Sequence, residues 1–331
     1  MEDLITLTLA DLEKILSPKF KAKDVFRFIH KYLKTNISDF SSLSLEDRQR
    51  LAEKYFVSSL TPLKNLKDQA VEKAAFKLKD SKIIEAVSME YAGERNTICV
   101  SSQVGCAVGC AFCATGGMRF KRNLTLAEIL SQVYYFARKE KVSNIVFMGM
   151  GEPLLNYHQV LSAARFLNDP LGLNIAARKI VISTIGISLG IRKLAEEKEQ
   201  FRLAWSLVSP QDDIRKRLIP SKFSEPIAKI VSALKFYQKQ TKRRVTIEYV
   251  VLKDINDTKA DVKQLISIAQ ELDSHVNLIP YNPLEGSHFK IGNVRLLLNE
   301  LQNAGLNVTV RKSYGQKIKA ACGQLAGQAD L

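Results

Sequence analysis

From about residue 92 to the C-terminus the sequence alternates between two kinds of segment, and this alternation restricts the fold more than any other feature. Six runs read as strands: "NTICVSS", "NIVFMGM", "KIVISTIG", "RLAWSLV", "RVTIEYVVL" and "HVNLIP". Between them lie segments with helical periodicity. Thr125 and Glu128 form a capping box, and Leu126, Ile129, Leu130 and Val133 after it share one helical face. Ile227, Ile230, Val231 and Leu234 make a second stripe; Val262, Leu265, Ile266 and Ala269 make a third. Six βα units in series imply a parallel sheet, either open and doubly wound or curved into a partly closed barrel. With 46% hydrophobic residues in 331, the chain can bury the core such a sheet needs.

Residues 1 to about 70 follow a different pattern and read as helical. Thr8 and Asp11 resemble a capping box, and Val25, Phe28, Ile29 and Leu33 fall on one helical face. Residues 72–80 and 83–91 read as two strands joined by a turn near Asp80-Ser81. The expected organisation is a small, mainly helical accessory domain over 1–91, ending in this hairpin, and a core over 92–331.

The net charge of +15 favours a polyanionic partner. The basic clusters, such as "KFKAK", "MRFKR", "KQTKRR" and "RKSYGQKIK", are dispersed, which suits a broad RNA footprint better than a single recognition helix. No apolar run approaches the roughly 20 residues of a membrane span. The start, "MEDLITLTLADLEKIL", lacks the basic and apolar regions of a secretion signal. An odd number of closely spaced cysteines then points to the reducing cytoplasm, where clustered thiols bind metal or do chemistry.

Four of the five cysteines lie in "CVSSQVGCAVGCAFCATGG", residues 99–117; the fifth, Cys322, lies in "AACGQLAG". Cys106, Cys110 and Cys113 form C-x3-C-x2-C directly after the first strand of the series. A structural zinc site wants four protein ligands, and none of His30, His158, His275 and His288 is near in sequence. An iron–sulfur cluster held by three thiolates keeps one iron open to substrate.

With Phe112 before the last cysteine, this motif resembles the signature of radical S-adenosylmethionine (SAM) enzymes. "MGMGEP" at 148–153 resembles their Gly-Glu-Pro motif, which binds the SAM amino group. "CVSSQVGCAVGCAFCATG", "FMGMGEPLLN", "ISTIGI", "HVNLIPYNP" and "AACGQLAG" together resemble the RlmN/Cfr family of RNA adenine methyltransferases, in order, from about residue 85 onward.

The resemblance implies an α/β fold, the partial parallel (β/α)6 radical-SAM barrel. It implies one 4Fe-4S cluster on Cys106, Cys110 and Cys113, and two SAM molecules per turnover. Cys322 corresponds to the cysteine that carries the methyl group and Cys99 to the one that resolves the intermediate through a disulfide. Both are expected to be accessible and near positive charge, with Arg311, Lys312, Lys317 and Lys319 close in sequence to Cys322. Glu85, in "IIEAVSM", corresponds to the catalytic base. Its spacing to Cys99 is one residue longer than the family's, which leaves Glu90 as a rival. The SAM contacts fall on Gly151, Glu152, Ser183, Ser206, Leu207, Val208 and Asn282.

The implied activity is methylation of carbon 2 of an adenosine in 23S rRNA, tRNA or both. The implied partners are RNA and an electron donor such as flavodoxin or ferredoxin, with the chain a cytoplasmic monomer. Rival readings are a Cfr-like enzyme acting at carbon 8, a diverged methyltransferase with another RNA target, a radical-SAM peptide maturase, and a non-enzymatic RNA-binding protein with a relic cluster. The chain also departs from the family. Val208 stands where the family has His, Gln316 and Lys317 replace an acidic pair, and "SKF" follows "RLIP".

Overall fold

The computed structural model describes residues 1–91 and 95–327. The expected domain boundary after residue 91 opens onto 92–94, outside the described residues. Ten strands make one sheet: β1 (Pro62–Asp68), β2 (Val71–Lys77), β3 (Ile83–Tyr91), β4 (Arg95–Cys99), β5 (Asn144–Phe147), β6 (Ile180–Thr184), β7 (Arg202–Ser206), β8 (Thr246–Val251), β9 (His275–Pro280) and β10 (Val308–Val310). They lie side by side in chain order. β1 to β4 pair antiparallel, and β4 to β10 pair parallel.

All six expected core strands are present. Two strands of this sheet were not expected. β1 falls in the stretch read as helical. Its sequence, "PLKNLKD", carries no apolar stripe, so its identity comes from pairing with β2. β10 has three residues and sits at the sheet edge, below the length at which periodicity is readable. The hairpin β2–β3 matches the expected pair, with Ser81 in the left-handed region at its turn (φ +63°).

The strand order has no reversal and therefore no switch point, which excludes the doubly wound alternative. Right-handed crossovers between sequential neighbours put their helices on one face. Besides one short turn of helix at Ala114–Gly117 in the cysteine loop, ten longer α-helices accompany the strands among the described residues. Three precede the sheet: α1 (Leu9–Ile15), α2 (Lys19–His30) and α3 (Leu45–Lys54). Seven are interleaved with it: α4 (Leu126–Ala137), α5 (Tyr157–Asn168), α6 (Ser188–Glu196), α7 (Asp212–Leu218), α8 (Ile227–Thr241), α9 (Lys259–Glu271) and α10 (Val294–Asn303). None of the described helices is long and apolar enough to cross a membrane.

The register sorts the side chains into two faces. Ile98, Ile145, Ile182, Leu203, Trp205, Ile247, Tyr249, Val276 and Leu278 share one face and are all buried. The opposite, inner face carries Cys99, Ser183, Ser206, Glu248 and Asn277. An apolar outer row and a polar inner row mean that the helices cover the first and the chemistry occupies the second.

The capping boxes at Thr8–Asp11 and Thr125–Glu128 both form. Helix α2 is rotated from the expected face. Ala22, Val25, Phe26, Ile29 and His30 are buried, while Phe28 is half-buried and stacks on Phe40 at 5.2 Å. The rotation seats His30, 0% exposed, against α4, where its Nδ1 lies 2.6 Å from the Tyr134 hydroxyl.

Burial pushes the His30 imidazole down to about 3 from its ordinary 6.5. The folded state therefore binds fewer protons than the unfolded one below pH 6.5. This contribution to stability is full above pH 6.5 and is lost as pH falls toward 3, at up to about 1.4 kcal/mol per pH unit. Urea melts between pH 7 and 4 should lose stability less steeply in His30→Phe than in the wild type; equal slopes would remove His30 from the account.

Candidate active site

The carboxyl ends of the parallel strands enclose a cavity. Its rim includes the loop after β4, where Cys106, Cys110 and Cys113 are all half-buried and line the cavity. The loop closes tightly on itself. Cys113 N–H donates to Cys110 O (3.2 Å), and a Cβ at Gly116 would lie 2.2 Å from Cys110 O, so only glycine fits there. Burial pushes the Cys106 thiol up to about 12 and raises those of Cys110 and Cys113 as well. Among the described residues, no three His, Cys, Asp or Glu side chains converge as ligands of a single metal ion. The three thiols thus line one cavity without building a closed zinc site.

The charge beside them fits a larger anionic group. Arg215, 1% exposed, donates only to neutral acceptors: Ser224 Oγ (3.3 Å), Glu225 O (2.8 Å) and Ile185 O. Its Nε has no partner, and its field favours the Cys110 thiolate. A backbone bond from Ala111 N–H to Leu218 O (2.9 Å) ties its helix, α7, to the cysteine loop. A buried cation of this kind wants a compensating anion, and a thiolate-ligated cluster supplies one. The donor set and its surroundings fit a 4Fe-4S group.

Most of the expected SAM contacts line the same cavity: Gly151, Glu152, Ser183, Ser206, Val208 and Asn282. Leu207 does not; it is fully buried away from the cavity, and its N–H donates to Glu248 O. Gly151 has φ +99°, and a Cβ there would meet Gln103 Cβ at 2.5 Å. The Glu152 carboxylate accepts Leu154 N–H (3.1 Å) and Ile185 N–H (3.0 Å), and burial lifts it to about 7. Val208 sits at φ +66° in a three-residue turn closed by Ser209 N–H to Leu207 O (2.8 Å). A β-branched residue there is strained.

Cys322 lines this cavity and also a second, smaller one. Cys99, Asn282, Arg311 and Tyr314 line the second, so the two distant cysteines meet across it. All five cysteines are free thiols. The expectation of two accessible thiols fails for Cys99, which is 7% exposed; burial pushes its thiol up to about 12. A central strand of a ten-stranded sheet gives its side chain little access to solvent. Of the four basic residues near Cys322, Arg311 borders both cavities. The neighbouring Cys322, together with Glu248, Tyr91 and Cys99, holds the Arg311 guanidinium above its usual range.

Glu85 lies on the inner face, because Val87, two residues on, pairs with Cys99. It is 1% exposed, whereas Glu90 is exposed at the far end of β3. Glu85 Oε1 pairs with Lys73 Nζ (2.9 Å), and Oε2 accepts Ala326 N–H (2.8 Å) and Gly327 N–H (3.1 Å).

Residues 100–266 match the sequence model of the Radical SAM superfamily. A probable dual-specificity RNA methyltransferase RlmN from Dictyoglomus turgidum is 39% identical over 98% of this chain and 97% of its own length. The dual-specificity RNA methyltransferase RlmN of Pelobacter propionicus is 37% identical over 99% and 96%. The crystal structure of a radical SAM methyltransferase from Sphaerobacter thermophilus superposes with TM-score 0.93 at 38% identity, covering 99% of this chain and 100% of that one. The chain belongs to the RlmN family.

Residues beyond the expected RlmN set also shape the site. Lys73 holds Glu85, and Glu248 puts a buried carboxylate on the cavity wall, with Asn277 Nδ2 donating to it (2.8 Å). Glu248 had a signal in the sequence: it is the one charge inside the apolar run "TIEYVV". Lys73 had none, because lysine in an exposed hairpin reads the same way. The C-terminal segment is sewn over both sites. Asn282 Nδ2 donates to Cys322 O (3.0 Å), Gln316 Nε2 donates to Asn282 Oδ1 (2.8 Å), and Ala114 N–H donates to Gly323 O (2.7 Å).

Glu85→Gln removes the anion opposite buried Lys73, and breaking such a pair costs about 3–5 kcal/mol. Hydrogen exchange in the peptide spanning 319–327 should speed up in Glu85→Gln and in Lys73→Met; unchanged protection in both would show that the pair does not hold the tail.

Proposed function

We propose that this protein is a radical SAM RNA methyltransferase that methylates carbon 2 of an adenosine, in 23S rRNA, in tRNA, or in both, through an S-methylcysteine. The observation that carries the reading is the place of Cys322, which borders both the three-cysteine cavity and the cavity that holds Cys99. The dual-specificity name of the RlmN relatives supports both RNA classes.

Cys106, Cys110 and Cys113 hold the 4Fe-4S cluster, and Gly151, Glu152, Ser183, Ser206, Val208 and Asn282 hold SAM. When bound, the cluster supplies the electron that cleaves SAM to a 5′-deoxyadenosyl radical. Carbon 2 of adenine is electron-poor and cannot attack a methyl sulfonium directly, so a sulfur must carry the carbon first. Cys322 takes a methyl group from one SAM by displacement, with Arg311 bordering the same two cavities. The deoxyadenosyl radical would take one hydrogen atom from the Cys322 S-methyl group, and the methylene carbon so formed would add to carbon 2; the adduct gives its ring proton to Glu85 and would return one electron to the oxidised cluster. Cys99 then bonds to the Cys322 sulfur as the carbon–sulfur bond breaks, and the released carbon takes a proton, which leaves methylated RNA and a disulfide to be reduced.

Residues 1–91 act as the accessory RNA-gripping unit, mostly through phosphates and shape. An electron donor of the flavodoxin or ferredoxin class completes the system, and the protein works as a cytoplasmic monomer.

The two cysteine mutants separate the steps. Cys322→Ala should give no product and no adduct. Cys99→Ala should accumulate RNA joined covalently to Cys322, visible by mass spectrometry after nuclease digestion. Turnover at the normal rate by the Cys99 mutant, with no RNA attached, would rule out the two-cysteine route. In the wild type, 8-methyladenosine rather than 2-methyladenosine among the digested nucleosides would transfer the reading to carbon 8.

A further inference from the structure

We propose that the face where helix α7 meets the cysteine loop is the docking surface for an acidic one-electron carrier protein. The inference rests on the cluster reading above and gives the electron that this reading requires a place of entry.

The cysteine loop has two sides. Its Cys113 side lies under the C-terminal segment: Ala114 N–H donates to Gly323 O (2.7 Å), and the Thr115 hydroxyl donates to Leu325 O. That side faces Cys322, which the adenosine has to reach. On the Cys110 side the neighbour is α7. Ala111 N–H donates to Leu218 O (2.9 Å), and Ala111 itself is exposed. Cys110, the residue before it, lines the larger cavity. A single methyl side chain therefore stands at the surface next to a residue that would hold the cluster. Electron transfer weakens steeply with distance, so a carrier gains most where the covering is this thin.

The charge around Ala111 has one sign. Lys216 and Arg217 in the last turn of α7, and Lys222 beyond it, are exposed and form no ion pair with a described residue. The acids of the same helix, Asp212 and Asp213, lie in its first turn, where Asp212 accepts Ile227 N–H (2.9 Å). A second pair of exposed cations, Arg119 and Lys121, runs along the other arm of the loop, where Lys121 N–H donates to Val104 O (2.9 Å). Cations thus flank both approaches to the cysteines.

A phosphate backbone would also answer to cations. The placement favours a protein, because these charges gather at the Cys110 end and the RNA has to arrive at the Cys322 end. Electron carriers bind through small, short-lived contacts that are steered by charge. A few unpaired cations around an exposed alanine match that scale. The carrier is oxidised by one electron and the cluster is reduced by one; no atom passes between them.

The test uses full-length protein with its cluster reconstituted anaerobically, and an acidic flavodoxin as the probe. Calorimetric titration with oxidised flavodoxin reads binding, and stopped-flow mixing with reduced flavodoxin reads bleaching of the cluster. Lys216→Glu combined with Arg217→Glu should weaken binding and slow reduction at least about 10-fold at low salt, the lower end of electrostatic steering. The difference should vanish near 1 M salt, where the Debye length is about 3 Å. Lys193→Glu combined with Lys239→Glu makes the same change in net charge in the last turns of α6 and α8. That pair should stay within about twofold of the wild type, because charges beyond a Debye length are screened. Cleavage of SAM driven by dithionite, and affinity for a folded RNA hairpin, should be unchanged in both variants. Equal slowing by the two pairs would reduce the effect to net charge and overturn the surface, as would flavodoxin binding that the first pair leaves unchanged. Weaker RNA binding in the first pair would assign the face to RNA and overturn it too. A wild type that holds no iron, or that cleaves no SAM with dithionite, would overturn the cluster reading itself, and the docking surface with it.

Discussion

A parallel sheet whose strands run in chain order has one face covered by its own crossovers and one face that nothing local can cover. Everything else in this molecule follows from that constraint. The helices take the apolar outer row from Ile98 to Leu278. The inner row, with Ser183, Ser206, Glu248 and Asn277, must be closed by chain that comes after the last strand. The segment after β10 does this, which is why the cysteine farthest in sequence from the three-cysteine loop, Cys322, stands beside it in space.

Closure by a tail rather than a helix explains where the buried charge is placed. Lys73 and Glu85 sit on the inner face of the antiparallel extension, and the tail's own amides complete the carboxylate. A buried ion pair is seldom a net source of stability. Here it gives the tail a polar anchor that can be released, which an apolar plug could not be. The oxygen that holds Ala326 and Gly327 belongs to the carboxylate proposed as the base, so on that proposal access to the base and release of the 326–327 amides go together.

The sequence resolved the parallel series because each strand there packs against helices on its outer face and so carries a strong apolar run. It failed where that pressure is absent: β1, an edge strand of alternating weak residues, and β10, three residues long. The site residues were legible by motif, and their orientation was not. Spacing left Glu85 and Glu90 both open. Pairing separates them, since Val87 opposite Cys99 puts Glu85 on the inner face however long the connection between the strands. Leu207 lay inside a motif yet points into the core, because neighbours along a strand face opposite ways. Accessibility at Cys99 could not be read from residue type, because it depends on the strand being central.

The departures from the family pattern rewire contacts that the backbone and amides can also make. At Val208 the left-handed turn survives without the family's His, because Asn256 Nδ2 donates to Val208 O (2.6 Å) and Ser209 N–H closes the turn. The strain of a β-branched residue is held there by its surroundings. Gln316 replaces an acid at a point where the difference has a direction. Its amide donates to Asn282 Oδ1, while Asn282 Nδ2 is already committed to Cys322 O. A carboxylate has no hydrogen to give Asn282 Oδ1 and would have to compete for the same Nδ2. With glutamine, both ends of Asn282 are satisfied at once. Asn282, one of the residues shared by the two cavities, is thus locked to the segment that carries Cys322, and a ligand that claims Asn282 must also loosen that segment.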